Sequence, residues 1–185
     1  MGCSVSLSMI IKILSWNVRG VNDAEKRKLI KSVIRSQRAK LVCLQETKVQ
    51  TMTMNLVKSL GVGSCLKWVS VNANGAVGEI LVFSDFRVLE LVDLKVGEFS
   101  ISCRFRNCED DFMWVFTGVY GPCSWKDKEG LWEELGAIRG LWNDPWCVGG
   151  DFNAIRFLVE RTNGSRLNAQ MRRFLEVIND FEVIH

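Results

Sequence analysis

The stretch "WCVGGDFNAI", residues 146–155, decides how the rest of the sequence is interpreted. It opens with a short apolar run, typical of a buried strand, and two glycines follow. Glycine lets a chain turn sharply or approach another group closely. Because alternate strand residues point to one face, we expect Asp151 and Asn153 to project together. The stretch therefore predicts a carboxylate and a carboxamide at the end of a strand.

The composition of the chain fits one globular domain. It has 185 residues, 48% hydrophobic and 24% charged. No apolar run approaches the roughly 18 residues of a membrane span. The seven cysteines form no C-x-x-C pair and the single histidine is His185, so no zinc site is predicted. Cysteines inside apolar runs, at Cys43, Cys103 and Cys147, behave as small hydrophobes and favour a reduced, intracellular setting.

The charge of the chain is small in sum and uneven in distribution. Residues 1–60 hold 11 Lys and Arg against 3 Asp and Glu, or +8, and the remainder holds 13 against 18, or −5. Much of the basic excess lies in "KRKLIKSVIRSQRAK", residues 26–40, where it alternates with apolar residues at helical spacing. A solvated outer helix face explains this pattern; a surface that attracts phosphate is the alternative.

The first residues, "MGCSVS", match a lipidation pattern, with Gly2 as a myristoylation site and Cys3 as a palmitoylation site. Met9 is an equally sensible start before the first strand. We expect residues 1–8 to be a disordered extension, and no membrane association unless Gly2 and Cys3 are lipidated.

Hydrophobic periodicity predicts three helices before residue 150. One runs from a cap at Asn22 or Asp23 to about Gln37, a weaker one covers Met52 to Leu60, and a third, capped by Ser124, covers Lys126 to Asn143. Their apolar stripes are Leu29, Ile30, Val33 and Ile34 in the first helix and Leu131, Trp132, Leu135, Ile138 and Trp142 in the third. A last amphipathic helix is predicted over Leu167–Phe181.

Apolar runs between these helices predict strands. They lie at Ile10–Asn17, Leu41–Gln45, Leu66–Val71, Ile80–Phe83, Val88–Val96, Phe99–Phe105, Trp114–Tyr120 and from Trp146. The acidic cluster Glu109-Asp110-Asp111 is expected to be a solvated hairpin loop, with a metal site as the alternative. Interleaved helices and strands predict a layered α/β domain.

Four of these strands end in polar residues of one chemical kind. "KILSWN" ends at Asn17, "LVCLQE" at Glu46 and "FTGVY" at Tyr120, and "CVGGDFN" supplies Asp151 and Asn153. If the strands lie side by side, their ends form one rim whose oxygen atoms suit a hard divalent cation, especially Mg²⁺. A carboxylate beside such an ion can activate water while donors stabilise charge on phosphorus. Each residue alone can also be explained as a turn or cap.

Taken in order, "SWNVRG", "LVCLQETK", "GVYGP" and "GGDFN" resemble the motifs of the endonuclease/exonuclease/phosphatase superfamily, which includes DNase I and apurinic endonucleases. More closely, the sequence resembles the endonuclease domain that opens the polyprotein of plant LINE-type (non-LTR) retrotransposons. In those elements the first strand also reads K-I-L-S-W-N-V-R-G, and a basic helix follows. The resemblance extends from about Met9 to the end of the chain, so residues 9–185 are expected to form one such domain.

The resemblance implies a four-layer α/β sandwich, in which two β-sheets pack face to face with helices outside. It implies Mg²⁺-dependent phosphodiester hydrolysis, with Mn²⁺ as a substitute, that nicks DNA to prime reverse transcription in the nucleus. DNA is then the partner, and no stable protein partner is expected. The implied roles are a metal ligand for Glu46, support of the metal–phosphate site for Asn17, phosphate contact for Tyr120, orientation or deprotonation of water for Asp151, and transition-state stabilisation for Asn153.

Two departures from the family pattern stand out. The family continues into further strands with an aspartate and a final Ser-Asp-His, and His185 does not match that histidine. Glu79 in "GAVGEILVFSD" replaces a usual glycine, and we expect it to face solvent. The sequence thus predicts a domain incomplete at its C-terminus and inactive by itself. The alternatives are a degenerate retroelement fragment that only binds nucleic acid, or a membrane-tethered phosphatase of the same superfamily.

Overall fold

The computed structural model of the protein describes residues 10–71 and 79–153. The predicted elements form within these ranges, with strand ends shifted by up to three residues from the predicted ones. In chain order the elements are β1 (Ile13–Asn17), α1 (Ala24–Gln37), β2 (Leu41–Gln45), α2 (Met54–Leu60), β3 (Leu66–Val71), β4 (Ile80–Asp85), β5 (Leu89–Val96), β6 (Ser100–Asn107), β7 (Met113–Tyr120), α3 (Trp125–Arg139) and β8 (Trp146–Asp151). The Leu167–Phe181 helix and the N-terminal extension lie outside the described residues.

The strands form two four-stranded sheets. The first has the order β1-β2-β4-β3 and the second the order β5-β6-β7-β8. The pairs β1–β2 and β7–β8 are parallel, and the other pairs are antiparallel. Each mixed sheet therefore sends the carboxyl ends of two neighbouring strands to one edge.

The side chains of β2 show why the domain is layered. Its residues alternate between the two faces of the first sheet, and both faces are covered. Val42 and Leu44 pack against Ile30 and Ile34 of α1 and against α2. Leu41 and Cys43 face the second sheet, in the apolar cluster that also contains Ile80, Val82, Leu89, Ile101, Cys103, Phe105, Trp114 and Phe116.

The outer face of the second sheet packs against α3 through Phe99, Val119, Leu131, Trp132, Leu135 and Ile138. The order of layers is helices α1 and α2, first sheet, second sheet, helix α3. This is the predicted four-layer α/β sandwich.

The Asp23 cap of α1 is confirmed, whereas the apolar stripe of α1 and the length of α3 need correction. The Asp23 side chain caps α1 by accepting from the Lys26 backbone N–H at 2.8 Å, as predicted. Leu29, however, is 58% exposed, because the narrow row of Ile30 and Ile34 alone faces the sheet. Helix α3 stops at Arg139 with Gly140 at its C-cap, so it is shorter than predicted, and Trp142 reaches the core from the following loop.

Strand β8 was predicted to be buried, and it is half-buried instead. Among the described residues it pairs only with β7 and so lies at the edge of the second sheet. Its apolar run reflects partial contact on both faces, since Trp146 and Val148 pack against the α3 cluster and Cys147 packs against the cluster between the sheets.

The cysteines of the described ranges are free thiols. Cys43 and Cys103 are fully buried between the sheets, where burial raises the pKa of Cys43 to about 12 and raises that of Cys103 above its usual range. They pack as small hydrophobes, as predicted. None of the three described helices combines the length and apolar character of a membrane-crossing segment.

Candidate active site

The carboxyl ends of four strands meet at one edge of the sandwich, which we call the rim. Asn17 ends β1, Glu46 follows β2, Tyr120 ends β7 and Asp151 ends β8. The sequence predicted this meeting for strands lying side by side. The structure forms it instead from two parallel pairs in facing sheets, with Tyr120 directly opposite Asp151.

Asn17 connects the two carboxylates of the rim. Its Nδ2 donates to Glu46 Oε1 at 3.1 Å and to Asp151 Oδ2 at 2.9 Å. The Asn17 side-chain oxygen accepts from the Arg19 backbone N–H at 3.2 Å, which fixes the orientation of the amide. One carboxamide thus holds together carboxylates that are 105 residues apart in sequence (151 − 46) and belong to different sheets.

Tyr120 makes the second contact with Glu46. Its hydroxyl donates to Glu46 Oε1 at 2.7 Å. This hydrogen bond and the one from Asn17 lower the pKa of Glu46, because both stabilise the ionised form. Burial and the Glu46 contact raise the pKa of Tyr120 to about 12. At neutral pH the pair is therefore a carboxylate and a protonated phenol donor.

Asp151 and Asn153 come together through a turn. β8 ends at Asp151, and Asn153 has a left-handed backbone with φ 48°. The Asn153 backbone N–H donates to Asp151 Oδ1 at 2.9 Å, while its Nδ2 donates to the Gly121 carbonyl at 2.6 Å. The D-x-N spacing identified neighbouring groups, but strand alternation was the wrong reason for their proximity.

Two glycines allow this turn to lie against the end of β7. A Cβ on Gly150, whose φ is 153°, would lie 2.0 Å from the Val119 carbonyl oxygen. A Cβ on Gly121 would lie 2.6 Å from the Phe152 carbonyl oxygen. The glycines therefore serve the close approach of two backbone segments within the protein.

Lys128 is a rim residue that the sequence did not single out. It is 6% exposed, and its ammonium donates to the Asn153 carbonyl oxygen. Burial lowers the pKa of Lys128, which is partly offset by the charge of Asp151. A signal was present, because Lys128 lies three and four positions before Leu131 and Trp132, on the apolar face of α3.

Glu79 is the second missed residue, and the prediction that it faces solvent is wrong. Its Oε2 accepts from the Thr47 hydroxyl at 3.2 Å and from the Lys48 backbone N–H, in the turn just after Glu46. Its backbone carbonyl accepts from the Glu46 N–H at 2.9 Å.

The oxygen set of the rim fits a hard cation with few protein ligands. Two carboxylates, Glu46 and Asp151, lie on either side of the Asn17 amide, and Mg²⁺ typically binds one or two carboxylates while keeping several waters. Within residues 10–71 and 79–153, no three His, Cys, Asp or Glu side chains form a metal-ligating group. The acidic cluster Glu109-Asp110-Asp111 lies in the exposed β6–β7 turn.

Comparison with known proteins identifies the family. A profile of the endonuclease/exonuclease/phosphatase family matches residues 14–173, which include all five predicted site residues. No functionally curated protein matches the sequence. The match covers most of the chain and includes every motif on which the resemblance rests.

Solved structures share the fold at low sequence identity. The endonuclease domain of TRAS1, a telomere-specific non-LTR retrotransposon, aligns with a TM-score of 0.68 at 12% identity over 92% of this chain and 72% of that one. D. rerio TDP2, complexed with a single-strand DNA product, aligns with a TM-score of 0.58 at 11% identity over 95% and 66%. A mannosyl-6-phosphatase of Bacteroides thetaiotaomicron VPI-5482 aligns with a TM-score of 0.59 at 14% identity over 78% and 66%.

The chain spans about two thirds of the length of these structures. At such identities the likeness shows the fold alone, which is the DNase I-like sandwich. Together with the profile match and the ordered motifs, it establishes that the chain belongs to the endonuclease/exonuclease/phosphatase family.

Proposed function

We propose that the rim is the metal-binding and phosphate-binding part of a phosphodiesterase site that acts on DNA, as in the endonuclease of a plant LINE-type retrotransposon. The observation that carries the proposal is the Asn17 amide, which joins Glu46 and Asp151 across the two sheets. Family membership supports the reaction class, since members generally depend on a divalent metal.

In the proposed site Glu46 is the main ligand of Mg²⁺ or Mn²⁺, which when bound would neutralise phosphate charge and polarise the phosphorus. Asp151 orients the attacking water and accepts its proton. Asn17 donates to both carboxylates and helps to keep Glu46 ionised. Tyr120 is protonated, since its pKa is raised to about 12, and it donates to a phosphate oxygen when its hydroxyl exchanges the hydrogen bond to Glu46 for one to substrate.

Asn153 has a donor for its expected role that the Gly121 contact does not use. Its Nδ2 donates one hydrogen to the Gly121 carbonyl, and the second N–H of the amide can donate to a phosphorane oxygen. Lys128 adds a buried positive charge behind the same turn. Such a charge favours an anionic group on the other side of Asn153.

One feature of the rim and one structural comparison favour nucleic acid as substrate. Arg19 and Lys48 are exposed beside Glu46, and basic side chains at such positions suit a phosphate backbone. Of the structures compared above, the retrotransposon endonuclease domain has the highest TM-score. A nuclear location follows if the DNA of a host genome is the substrate.

We further propose that these 185 residues alone do not cleave DNA. The family's Ser-Asp-His motif has no counterpart here, since the one histidine is His185. Catalytic groups that act as a unit lose most of their effect when one is missing.

A supercoiled-plasmid nicking assay with Mg²⁺ tests both statements. The chain is compared with the same sequence joined to the C-terminal strands of a complete family member, and with Asp151→Ala in each. We expect nicking only by the joined protein, and a loss of about 10²–10⁴-fold in its Asp151→Ala variant. Nicking by the unextended chain that Asp151→Ala abolishes would overturn the second statement. Undiminished nicking by the joined Asp151→Ala variant would overturn the role of Asp151.

A further inference from the structure

The turn that follows β2 has an unfavourable backbone conformation. Glu46 and Lys48 both adopt left-handed φ values, 53° and 55°, although neither is glycine. A side chain makes this backbone region unfavourable, so the turn persists only if its surroundings hold it. Thr47, between them, is 1% exposed. The proposed metal ligand therefore stands at the start of a turn that would relax on its own.

The loop after β1 holds one side of this turn. The backbone N–H groups of Gly20 and Val21 donate to the Glu46 and Thr47 carbonyls at 2.5 and 2.9 Å. These contacts fix the carbonyl side of the turn and leave its N–H groups to be satisfied from elsewhere.

Glu79 holds the other side. Its backbone carbonyl accepts from the Glu46 N–H, and its Oε2 accepts from both the Lys48 N–H and the Thr47 hydroxyl. Hydrogen bonds to an ionised carboxylate are roughly twice as strong as neutral ones. Since Oε2 accepts from two donors of the turn, the Glu79 carboxylate holds Thr47 and Lys48 in place.

We propose that Glu79 is a positioning residue, whose carboxylate fixes the Glu46–Lys48 turn and thereby sets the affinity of Glu46 for a divalent cation. This inference rests on the proposed function. Partners that orient a metal ligand typically change metal affinity by about 10–100-fold when removed.

Titration calorimetry with Mn²⁺ on the 185-residue chain tests the affinity. We expect about tenfold weaker binding in Glu79→Ala and a value within about threefold of wild type in Glu79→Gln, whose amide oxygen still accepts both donors. Glu46→Gln should bind most weakly. Glu109→Ala, which removes an exposed carboxylate from the β6–β7 turn, is the matched control and should bind as wild type.

Amide hydrogen exchange at Lys48 supplies a readout that needs no metal. Exchange should be faster by about tenfold in Glu79→Ala, because the Lys48 N–H loses the carboxylate that accepts its hydrogen bond. It should stay close to wild type in Glu79→Gln and Glu109→Ala. Unchanged affinity and unchanged Lys48 exchange in Glu79→Ala would overturn the inference. Equal Mn²⁺ binding by wild type and Glu46→Gln is a different result, which would overturn the metal site itself.

Discussion

Strands β2 and β8 both carry a carboxylate to the rim, but the protein holds them in different ways. β2 lies between β1 and β4 and is buried along its whole length. β8 pairs only with β7 among the described residues and is half-buried. Glu46 is thus positioned by a fully buried strand and by a turn that is hydrogen-bonded on both sides. Asp151 depends instead on the close contact between the backbones of β7 and β8. We therefore expect the two carboxylates of the rim to be displaced by different kinds of substitution.

The largest expected effect separates the two strands by their packing. Leu44→Ala in β2 should lower the free energy of unfolding by about 3–4 kcal/mol, because Leu44 is fully buried between the sheet and the helices. Val148→Ala in β8 should cost only about 1 kcal/mol, since Val148 is half-buried. Urea denaturation of both variants measures the difference, and equal losses would contradict the contrast.

The second effect probes the backbone fit at the β8 end. Gly150→Ala should destabilise the protein by about 2–3 kcal/mol, because the new Cβ would meet the Val119 carbonyl at 2.0 Å. Gly136→Ala is the control, since its Cβ in α3 would have no neighbour within 4 Å. Alanine there should stabilise the helix by about 0.5–1 kcal/mol. Thermal or urea unfolding that moved both variants in one direction would refute this account of Gly150.

The smallest expected effect concerns the pKa of Glu46, the carboxylate that follows β2. The folded-state pKa of Glu46 is lowered, first by the Tyr120 hydrogen bond, so the Glu46 carboxylate contributes stability above its unfolded pKa of about 4.5. That contribution is lost as pH falls through the lower, folded pKa. Tyr120→Phe should raise the Glu46 pKa toward 4.5 and reduce the contribution.

Carboxyl-carbon NMR titration measures this shift. Asp85 is an internal control, because its pKa is lowered mainly by Arg87, which Tyr120→Phe does not touch. A Glu46 midpoint that stays in place in Tyr120→Phe, or one that moves together with that of Asp85, would show that the phenol is not the cause.

The fold and most of the rim could be predicted because they depend on local patterns. Alternation in β2, the Asp23 cap and the polar residues that end four apolar runs are all visible within a few positions. Family motifs then supplied the order of the layers. What these patterns indicate is that each element forms, and which residues stand at its end.

The errors concern contacts between distant segments. Leu29 is exposed because the stripe of α1 that faces the sheet is narrower than the apolar pattern of the sequence. The edge position of β8 was missed because the residues of one strand do not indicate the order of strands in a sheet. Glu79 reaches Lys48 across 31 positions and Lys128 reaches Asn153 across 25, so neither partner could be assigned by spacing. The sequence also gave no sign that strain at Glu46 requires Glu79.

The division of the chain between the sheets has a consequence for biosynthesis. The first sheet uses residues 13–85 and the second uses residues 89–151, so each is continuous in sequence. Asn17 and Glu46 belong to the first, whereas Tyr120 and Asp151 belong to the second. At about 5–20 residues per second, a ribosome needs roughly 3–13 s to travel the 66 positions from Asp85 to Asp151. A nascent chain can therefore assemble the Asn17 and Glu46 half of the rim first, and Tyr120 and Asp151 join it only after the second sheet has been translated.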